Sequence, residues 1–381
     1  MTDRARNGAG GPRTTRQDQV REARQDEVRE VREEDAFDIA TMDAWLREHA
    51  PEQAGIARLS GPPTVRQFRG GASNLTYLLS YPERNLILRR PPHGTKAASA
   101  HDMEREFAVQ QALAPVYPYV PKMVALCQEE TVIGSDFYVM ERIEGTILRA
   151  RIPPELGLDE HSTKQLCESA IDRLVELHML DPARAGLAEL GKGEGYVRRQ
   201  VEGWSERFRA AHTWNVPSFE RVMRWLSERQ PRDVASRVVH NDYRFDNLVL
   251  APDDPRRIVG VLDWELATVG DPLMDLGGAL AYWVQADDDR LMRALRRQPT
   301  DAPGMLTRRE VLEHYRERTG LEVEDWVFYE VFGLFRLATI IQQIYRRYHL
   351  RETRNRAFRH YWLGVRYLKR RCLGIIRHHE S

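Results

Sequence analysis

The sequence predicts an α+β protein in two lobes, a small antiparallel-sheet N-lobe followed by a larger, mainly helical C-lobe. Three observations carry that expectation. Between Thr64 and Glu141 short apolar runs alternate with turn residues, as strands do. Beyond Gly145 the apolar period lengthens to that of helices, with Leu166, Ala170, Leu174 and Leu177 on one stripe. Inside this helical part, the stretch VVHNDYRFDNLVLAPDDPRRIVGVLDWE (Val238–Glu265) returns to short apolar runs and gathers histidine, aspartate and asparagine between them.

The elements follow in order. Met1 to about residue 35 is rich in Arg, Glu, Asp and Gln and too poor in apolar side chains to offset ordering entropy, so residues 1–35 are expected to be a disordered charged tail. The N-lobe is assigned to residues 36–143. It opens with a helix near Phe37, Ile39, Met42 and Leu46, then strands Val65–Phe68, Leu75–Leu79 and Leu86–Leu88. A helix through Met103, Phe107, Gln110 and Leu113 precedes strands at Val120–Cys127 and Phe137–Glu141. The C-lobe takes residues 144–381. After helical stripes at Leu166–Leu177 and Val222–Leu226 comes a hairpin whose turn is Pro252–Pro255. Helices are then expected over Leu273–Trp283, Arg308–Thr319, Trp326–Arg347 and Arg354–Ile376.

Composition narrows the partners. The chain has 381 residues, a formal net charge of +0 and a pI near 7.2, which argue against a dedicated nucleic-acid or polybasic membrane surface. Cys127, Cys167 and Cys372 are few and scattered, fitting reduced thiols better than a disulfide framework. No uninterrupted apolar run approaches the ~20 residues of a membrane span, and the N-terminus carries no apolar signal core. A cytoplasmic protein is expected, with no nucleic-acid or membrane partner; oligomeric state is not legible.

The chemistry concentrates in the Val238–Glu265 stretch. His240, Asp242 and Asn247 form H-x-D-x-x-x-x-N, and Asp263 ends the next apolar run, the order in which kinases hold a base and two metal ligands. Asp242 is the candidate catalytic base for a hydroxyl, and Asn247 and Asp263 supply the hard oxygen ligands that Mg2+ prefers. Any one of these residues alone reads as a turn residue bonding backbone amides; four at the required spacing read as phosphotransfer. His240 is expected to brace the loop, and Asp246 to stabilise it. Arg244 either neutralises phosphate or pairs with Asp271 or Asp275. Asp271 is expected to cap the following helix, with Asp275 bonding the loop from within it.

Nucleotide-binding candidates lie upstream. Gly70 and Gly71 would let backbone amides approach phosphate oxygens, with Ser73 and Asn74 as side-chain donors; no P-loop is present. On the strand Leu86–Arg90, Ile87 and Arg89 share a face, so if Ile87 lines an adenine pocket Arg89, in preference to Arg90, points at the phosphates; a solvated strand-end charge pair is the alternative. Glu106 is the candidate carboxylate to pair with that cation. Met140, beside the adenine ring, and the backbone at Glu141 and Ile143 complete the set.

The segments FRGGASNLTY, LILRRPP, FYVMERIEG, HNDYRFDN and VLDWE, in that order, resemble the aminoglycoside phosphotransferase and choline kinase family of protein-kinase-like enzymes. Within it the chain is similar to the phosphotransferase domain fused ahead of acyl-CoA dehydrogenases in larger proteins. The resemblance implies a protein-kinase-like two-lobe fold with ATP between the lobes, Asp242 as base, and Asn247 and Asp263 on Mg2+. Two positions depart from the family pattern: Asn241 stands where glycine is usual, and Arg89 where many kinases have lysine.

Only Trp264 to Gly270 separate Asp263 from the next expected helix, too little for a peptide-binding activation segment, so the expected partner is a small-molecule hydroxyl substrate. Candidate acceptors are a hydroxyacyl-CoA-type compound or an amino alcohol. The downstream aromatics Trp283, Trp326, Phe328, Tyr329, Phe332 and Phe335 either wall a pocket or, for most of them, fill the core. The alternative reading is a catalytically idle nucleotide- or acyl-CoA-binding scaffold of the same fold.

Overall fold

Each apolar run between Thr64 and Glu141 is a strand of one sheet in the computed structural model, which describes residues 28–68, 74–92 and 102–381. The strands are β1 (Val28–Arg29), β2 (Thr64–Phe68), β3 (Leu75–Ser80), β4 (Asn85–Arg90), β5 (Met123–Cys127) and β6 (Phe137–Glu141), in spatial order β1-β2-β3-β4-β6-β5. From β1 through β4 to β6 the neighbours are antiparallel. Alternation decides the faces. Leu86, Leu88 and Arg90 turn to a core shared with Met42, Leu46, Tyr77 and Val139, while Ile87 and Arg89 take the other face. The expected helix is there as Ile39–His49, capped by Asp38, whose carboxylate accepts from the Ala40 and Thr41 amides.

Two boundaries differ from the sequence expectation. Residues 28–35 belong to the folded part: Val28 pairs with Phe68, and Gln67 Nε2 donates to Asp35 Oδ2 at 2.8 Å. The Asp35 carbonyl accepts from Tyr77 Oη at 2.8 Å and from Arg90 Nη2 at 2.7 Å. Charge-rich composition hid this because polar bonds add to the few apolar contacts the stretch makes, such as those of Val28 and Val31. The second difference is that no single cut at residue 143 divides the chain. One unit comprises the described residues up to Met103 with Val124–Glu141; the other comprises Glu104–Met123 and Arg142–Ser381. Residues of the Met103–Leu113 helix and its exit explain this, since Val109, Leu113, Tyr117 and Val120 are buried in the second unit's core.

That second unit is helical, with two small sheets. β7 (Thr146–Ile147), β9 (Leu248–Leu250) and β10 (Ile258–Val261) form one, in the order β10-β9-β7. The β9–β10 hairpin turns at Pro252–Pro255 as expected. At Gly145, before β7, a Cβ would lie 2.2 Å from the Leu250 carbonyl oxygen, so the close approach to β9 requires glycine. β8 (Arg237–Val239) pairs with β11 (Thr268–Gly270) and not with the hairpin. The expected C-terminal helices appear as Pro272–Ala281, Arg308–Thr319, Trp326–His349 and Tyr361–Glu380. Arg356–His360 forms a separate 3-10 turn ahead of the last one. By length and composition Trp326–His349 could cross a membrane, yet 67% of its apolar window is buried in the protein. Phe328, Phe332 and Phe335 lie in the core there, as do Trp283 and Tyr329; Trp326 packs against it.

Arg90 is the main polar strut of the first unit. It is fully buried, donating to the Tyr77 hydroxyl, the Ile133 carbonyl and the Asp35 carbonyl. Arg90→Met is expected to lower stability by about 2–4 kcal/mol, because it orphans buried acceptors. Urea unfolding measures this; a loss under ~0.5 kcal/mol would show that water replaces the guanidinium.

Candidate active site

The loop after β8 is set by one carboxylate beneath it. Asp275, in the Pro272–Ala281 helix and almost fully buried, accepts from the His240 amide at 2.7 Å and the Asn241 amide at 2.9 Å. It also accepts from His178 Nε2 at 3.1 Å, and His178 Nδ1 in turn lies 2.7 Å from the Tyr315 hydroxyl. Burial alone would raise the Asp275 carboxyl, but His178, His240 and the amide donors hold it below the ordinary carboxylate range. Asp271 caps the same helix, accepting from the Leu273, Met274 and Val234 amides. Burial outweighs those bonds and pushes its carboxyl up to about 6.

On this base the loop presents its side chains. His240 donates from Nε2 to the Leu262 carbonyl at 3.0 Å, and its Nδ1 accepts from the Asp242 amide at 3.2 Å. Both ring nitrogens are thus spent on bracing. Asn241 has φ of 65°, a left-handed conformation that glycine and asparagine adopt readily. Its side chain accepts from Tyr196 Oη at 3.1 Å and donates to the Leu266 carbonyl at 3.1 Å. The departure from glycine therefore keeps the loop's backbone geometry.

Asn247 Nδ2 donates to Asp242 at 2.9 Å (backbone oxygen) and 3.2 Å (Oδ2). Its amide oxygen is thereby turned away from the base, as a metal ligand's must be. The Leu262 amide donates to the Asn247 carbonyl at 2.8 Å, which ties the strand end carrying Asp263 to the loop. Asp263 itself has φ of 70°, an uncommon state for a non-glycine residue, between Leu262 and the fully buried Trp264. Arg244 pairs with Asp242 and Asp246, at 3.2 and 3.3 Å, and not with Asp271 or Asp275. Burial works against its charge, but Asp242 and Asp246, with smaller contributions from Tyr282 and Asp263, hold its pKa above the ordinary value. Asp246 is pushed up by burial.

Asp242 and Asn247 are thus bonded to one another, and Asp263 follows directly on the residue whose amide is bonded to Asn247. Among the described residues no group of three or more His, Cys, Asp or Glu could cage a metal. An amide oxygen and a carboxylate fit Mg2+, which takes few protein ligands and completes its shell with water and phosphate oxygens.

The other candidates divide between the units. In the first, β4 pairs with β6 so that Ile87 lies opposite Met140 and Arg89 opposite Tyr138, placing Arg89 and Met140 on one face. Glu141 directs its carboxylate toward Arg84 at 3.7 Å. Asn74 is buried; Gly70, Gly71 and Ser73 lie outside the described residues. In the second unit Glu106 is buried and Glu104 exposed. Ile143 packs where a Cβ on Gly260 would meet its Cδ1 at 2.8 Å. Sequence reasoning missed His178, Tyr196, Tyr315 and Arg336, all distant in number from the loop they support. The only signal was polar character within apolar stripes.

Residues 64–311 match the model of the phosphotransferase enzyme family. The chain belongs to that family. It is similar to mouse acyl-CoA dehydrogenase family member 10, 36% identical over 291 residues, 76% of this chain and 27% of the relative. The chain spans between 27% and 39% of the length of that relative and of rat acyl-CoA dehydrogenase family member 11. Among solved structures, a Ralstonia eutropha protein assigned as an aminoglycoside phosphotransferase is 30% identical with a TM-score of 0.75, covering 90% of this chain and 99% of that one. Choline kinase from Cryptosporidium parvum shares the fold at 13% identity, TM-score 0.60, covering 90% of this chain and 96% of that one. The phosphotransferase fold is thus protein-kinase-like.

Two consequences are measurable. Asn241→Gly should leave stability within about 1 kcal/mol, whereas Asn241→Ala, forcing a Cβ without the two bonds, should cost about 1–2 kcal/mol more. Equal losses in calorimetry would remove the left-handed requirement. Asp275→Asn should cost about 1–3 kcal/mol at neutral pH, since an amide N–H would then face a donor. The folded Asp275 pKa lies below its unfolded value, so its contribution is full above the ordinary carboxylate range and is lost as pH falls through the folded value. The acid limb of the stability–pH curve should flatten in Asp275→Asn.

Proposed function

We propose that the chain is an ATP- and Mg2+-dependent phosphotransferase acting on the hydroxyl of a small molecule. The observation that carries this reading is Asp242, held between the Asn247 amide and the Arg244 guanidinium, with Asp263 tied to the same loop through Leu262. Bound Mg2+ would neutralise phosphate charge, with Asn247 and Asp263 as its protein ligands. Asp242 orients the acceptor hydroxyl and takes its proton as the oxygen bonds to the γ-phosphorus; the bond to the β-γ bridging oxygen breaks and ADP leaves. Arg244 sets the rotamer of the base. Its guanidinium stacks 4.9 Å from the Tyr282 ring centroid, which limits its freedom.

A small acceptor is favoured by the segment after Asp263. Arg105 Nη1 donates to the Glu265 carbonyl at 3.0 Å and Thr268 Oγ1 to the Leu190 carbonyl at 3.1 Å, so these residues are not a peptide platform. The idle-scaffold alternative drew on Asn241 and Arg89; the left-handed conformation at Asn241 answers the first of these, and the arginine at position 89 still stands for the scaffold.

Asp242→Ala should lower turnover by about 10²–10⁴-fold while the unfolding midpoint stays near wild type. The assay is Mg2+-dependent ADP production across hydroxyacyl thioesters, amino alcohols, sugars and aminoglycosides. Nucleotide binding without phosphate transfer to any acceptor would sink the enzymatic reading in favour of the scaffold.

A further inference from the structure

Among the described residues the arginines closest to the core have an anionic or carbonyl partner set that Arg336 lacks. Arg90 donates to three oxygens, Arg244 lies against two carboxylates, and Arg308 and Arg371 share Asp288. Arg336, on the Trp326–His349 helix, is 7% exposed. Its one hydrogen bond runs from Nη2 to the Asn241 carbonyl, and its guanidinium lies 5.2 Å from the Trp204 ring centroid. Among the described residues it forms no ion pair. A buried cation without a counter-charge is costly, and it persists where something else supplies the charge.

The location says what that something is. The Asn241 carbonyl is bonded to the Asp242 amide, so the guanidinium sits one peptide from the proposed base. The Arg244 guanidinium, paired with Asp242, lies 4.9 Å from the Tyr282 ring centroid. Gly278 leaves the room: a Cβ there would lie 3.0 Å from Arg336 Nη1. None of the remaining guanidinium nitrogens is sealed from solvent without a partner, so a ligand can reach them. Beyond Arg336, Trp204 carries a second cation, with Arg207 4.8 Å from its centroid.

We infer that Arg336 binds an anionic oxygen group of the acceptor, so that the phosphorylated alcohol bears a carboxylate or comparable oxyanion instead of an ammonium. The inference rests on the phosphotransfer reading and narrows its acceptor class. A guanidinium fork matches a carboxylate geometrically, whereas an amino alcohol or aminoglycoside would bring like charge to Arg336. Arg336 is thereby a specificity-determining residue as well as a strut for the loop.

The test separates binding from turnover. The full chain with Mg-ADP is titrated with glycolate and lactate, and in parallel with their amino-alcohol counterparts ethanolamine and aminopropanol, reading the shift in unfolding midpoint. Wild type should be stabilised by the hydroxycarboxylates and not by the amines. Arg336→Gln should weaken that binding at least about tenfold, the loss expected when a charge-assisted bond goes, and Arg336→Lys should restore part of it. A loss of Mg-ADP affinity in Arg336→Gln as large as its loss of hydroxycarboxylate affinity would mark a purely structural role and overturn the inference. Hydroxycarboxylate binding by Arg336→Gln as tight as wild type, preference for the amines, or no response to either class overturns the inference. Should both substitutions unfold the chain, wild-type discrimination between the paired probes decides. Phosphate transfer is measured separately: transfer to an amino alcohol alone would refute the anionic acceptor while leaving the phosphotransferase reading intact.

Discussion

The Asp275 carboxylate is the constraint on which the rest of the site depends. It lies in the helical core, where an unpaired carboxylate would be strongly unfavourable, and it is stable there because three N–H donors converge on its two oxygens. Two of those donors are the consecutive amides of His240 and Asn241. Fixing two successive amides fixes the backbone path into Asp242. The third, His178, is oriented by Tyr315, so the position of the loop is referred back to two helices of the core. A catalytic base needs placement within a fraction of an ångström, and here that placement comes from buried polar bonds that tolerate little displacement.

The energy for this placement is drawn from elsewhere in the fold. Asn241 and Asp263 are two of the three described non-glycine residues with positive φ, and both stand in the site. Such conformations cost of order 1–3 kcal/mol each and persist only where the surroundings over-determine them. Around Asn241 the over-determination is plain: its amide, carbonyl and side chain are all hydrogen-bonded. Around Asp263 it comes from neighbours, since Leu262 is bonded on both sides and Trp264 is buried against His240 and Tyr117. Local propensity loses to tertiary structure at the positions where chemistry is expected.

This explains how much was legible in the residues. Helix periodicity and the alternating strands sufficed for the sheet of the first unit, the β9–β10 hairpin and most long helices, because those depend on local pattern. The four-residue constellation was readable because its spacing is fixed by a loop between two strands. What stayed hidden depends on distant partners. The helix Tyr196–Ala211 starts from a left-handed Gly195, its first amides caught by Asp233, and nothing near it in sequence announces that. The pairing of β8 with β11 joins three-residue strands across the whole motif. Asp35, Gln67 and Arg90 order a charged stretch that composition alone assigns to a tail. His178 and Arg336 sit in apolar helical stripes, where a polar residue at one position carries no address.

The segment following Asp263 bears on how such a site is governed. In kinases that act on proteins, a long loop after the metal-binding aspartate must be ordered before the site is assembled. Here Trp264–Leu266 is a single 3-10 turn, Thr268–Gly270 is hydrogen-bonded to Arg237–Val239, and Asp271 immediately caps the helix that carries Asp275. The strand after Asp263 and the strand before Asp242 are therefore one ladder, which runs into the helix that carries Asp275. No stretch of backbone is left over whose ordering could serve as a switch within this region. On the phosphotransfer reading proposed above, control of such an arrangement falls to acceptor recognition, with Arg244 and Arg336 as its means.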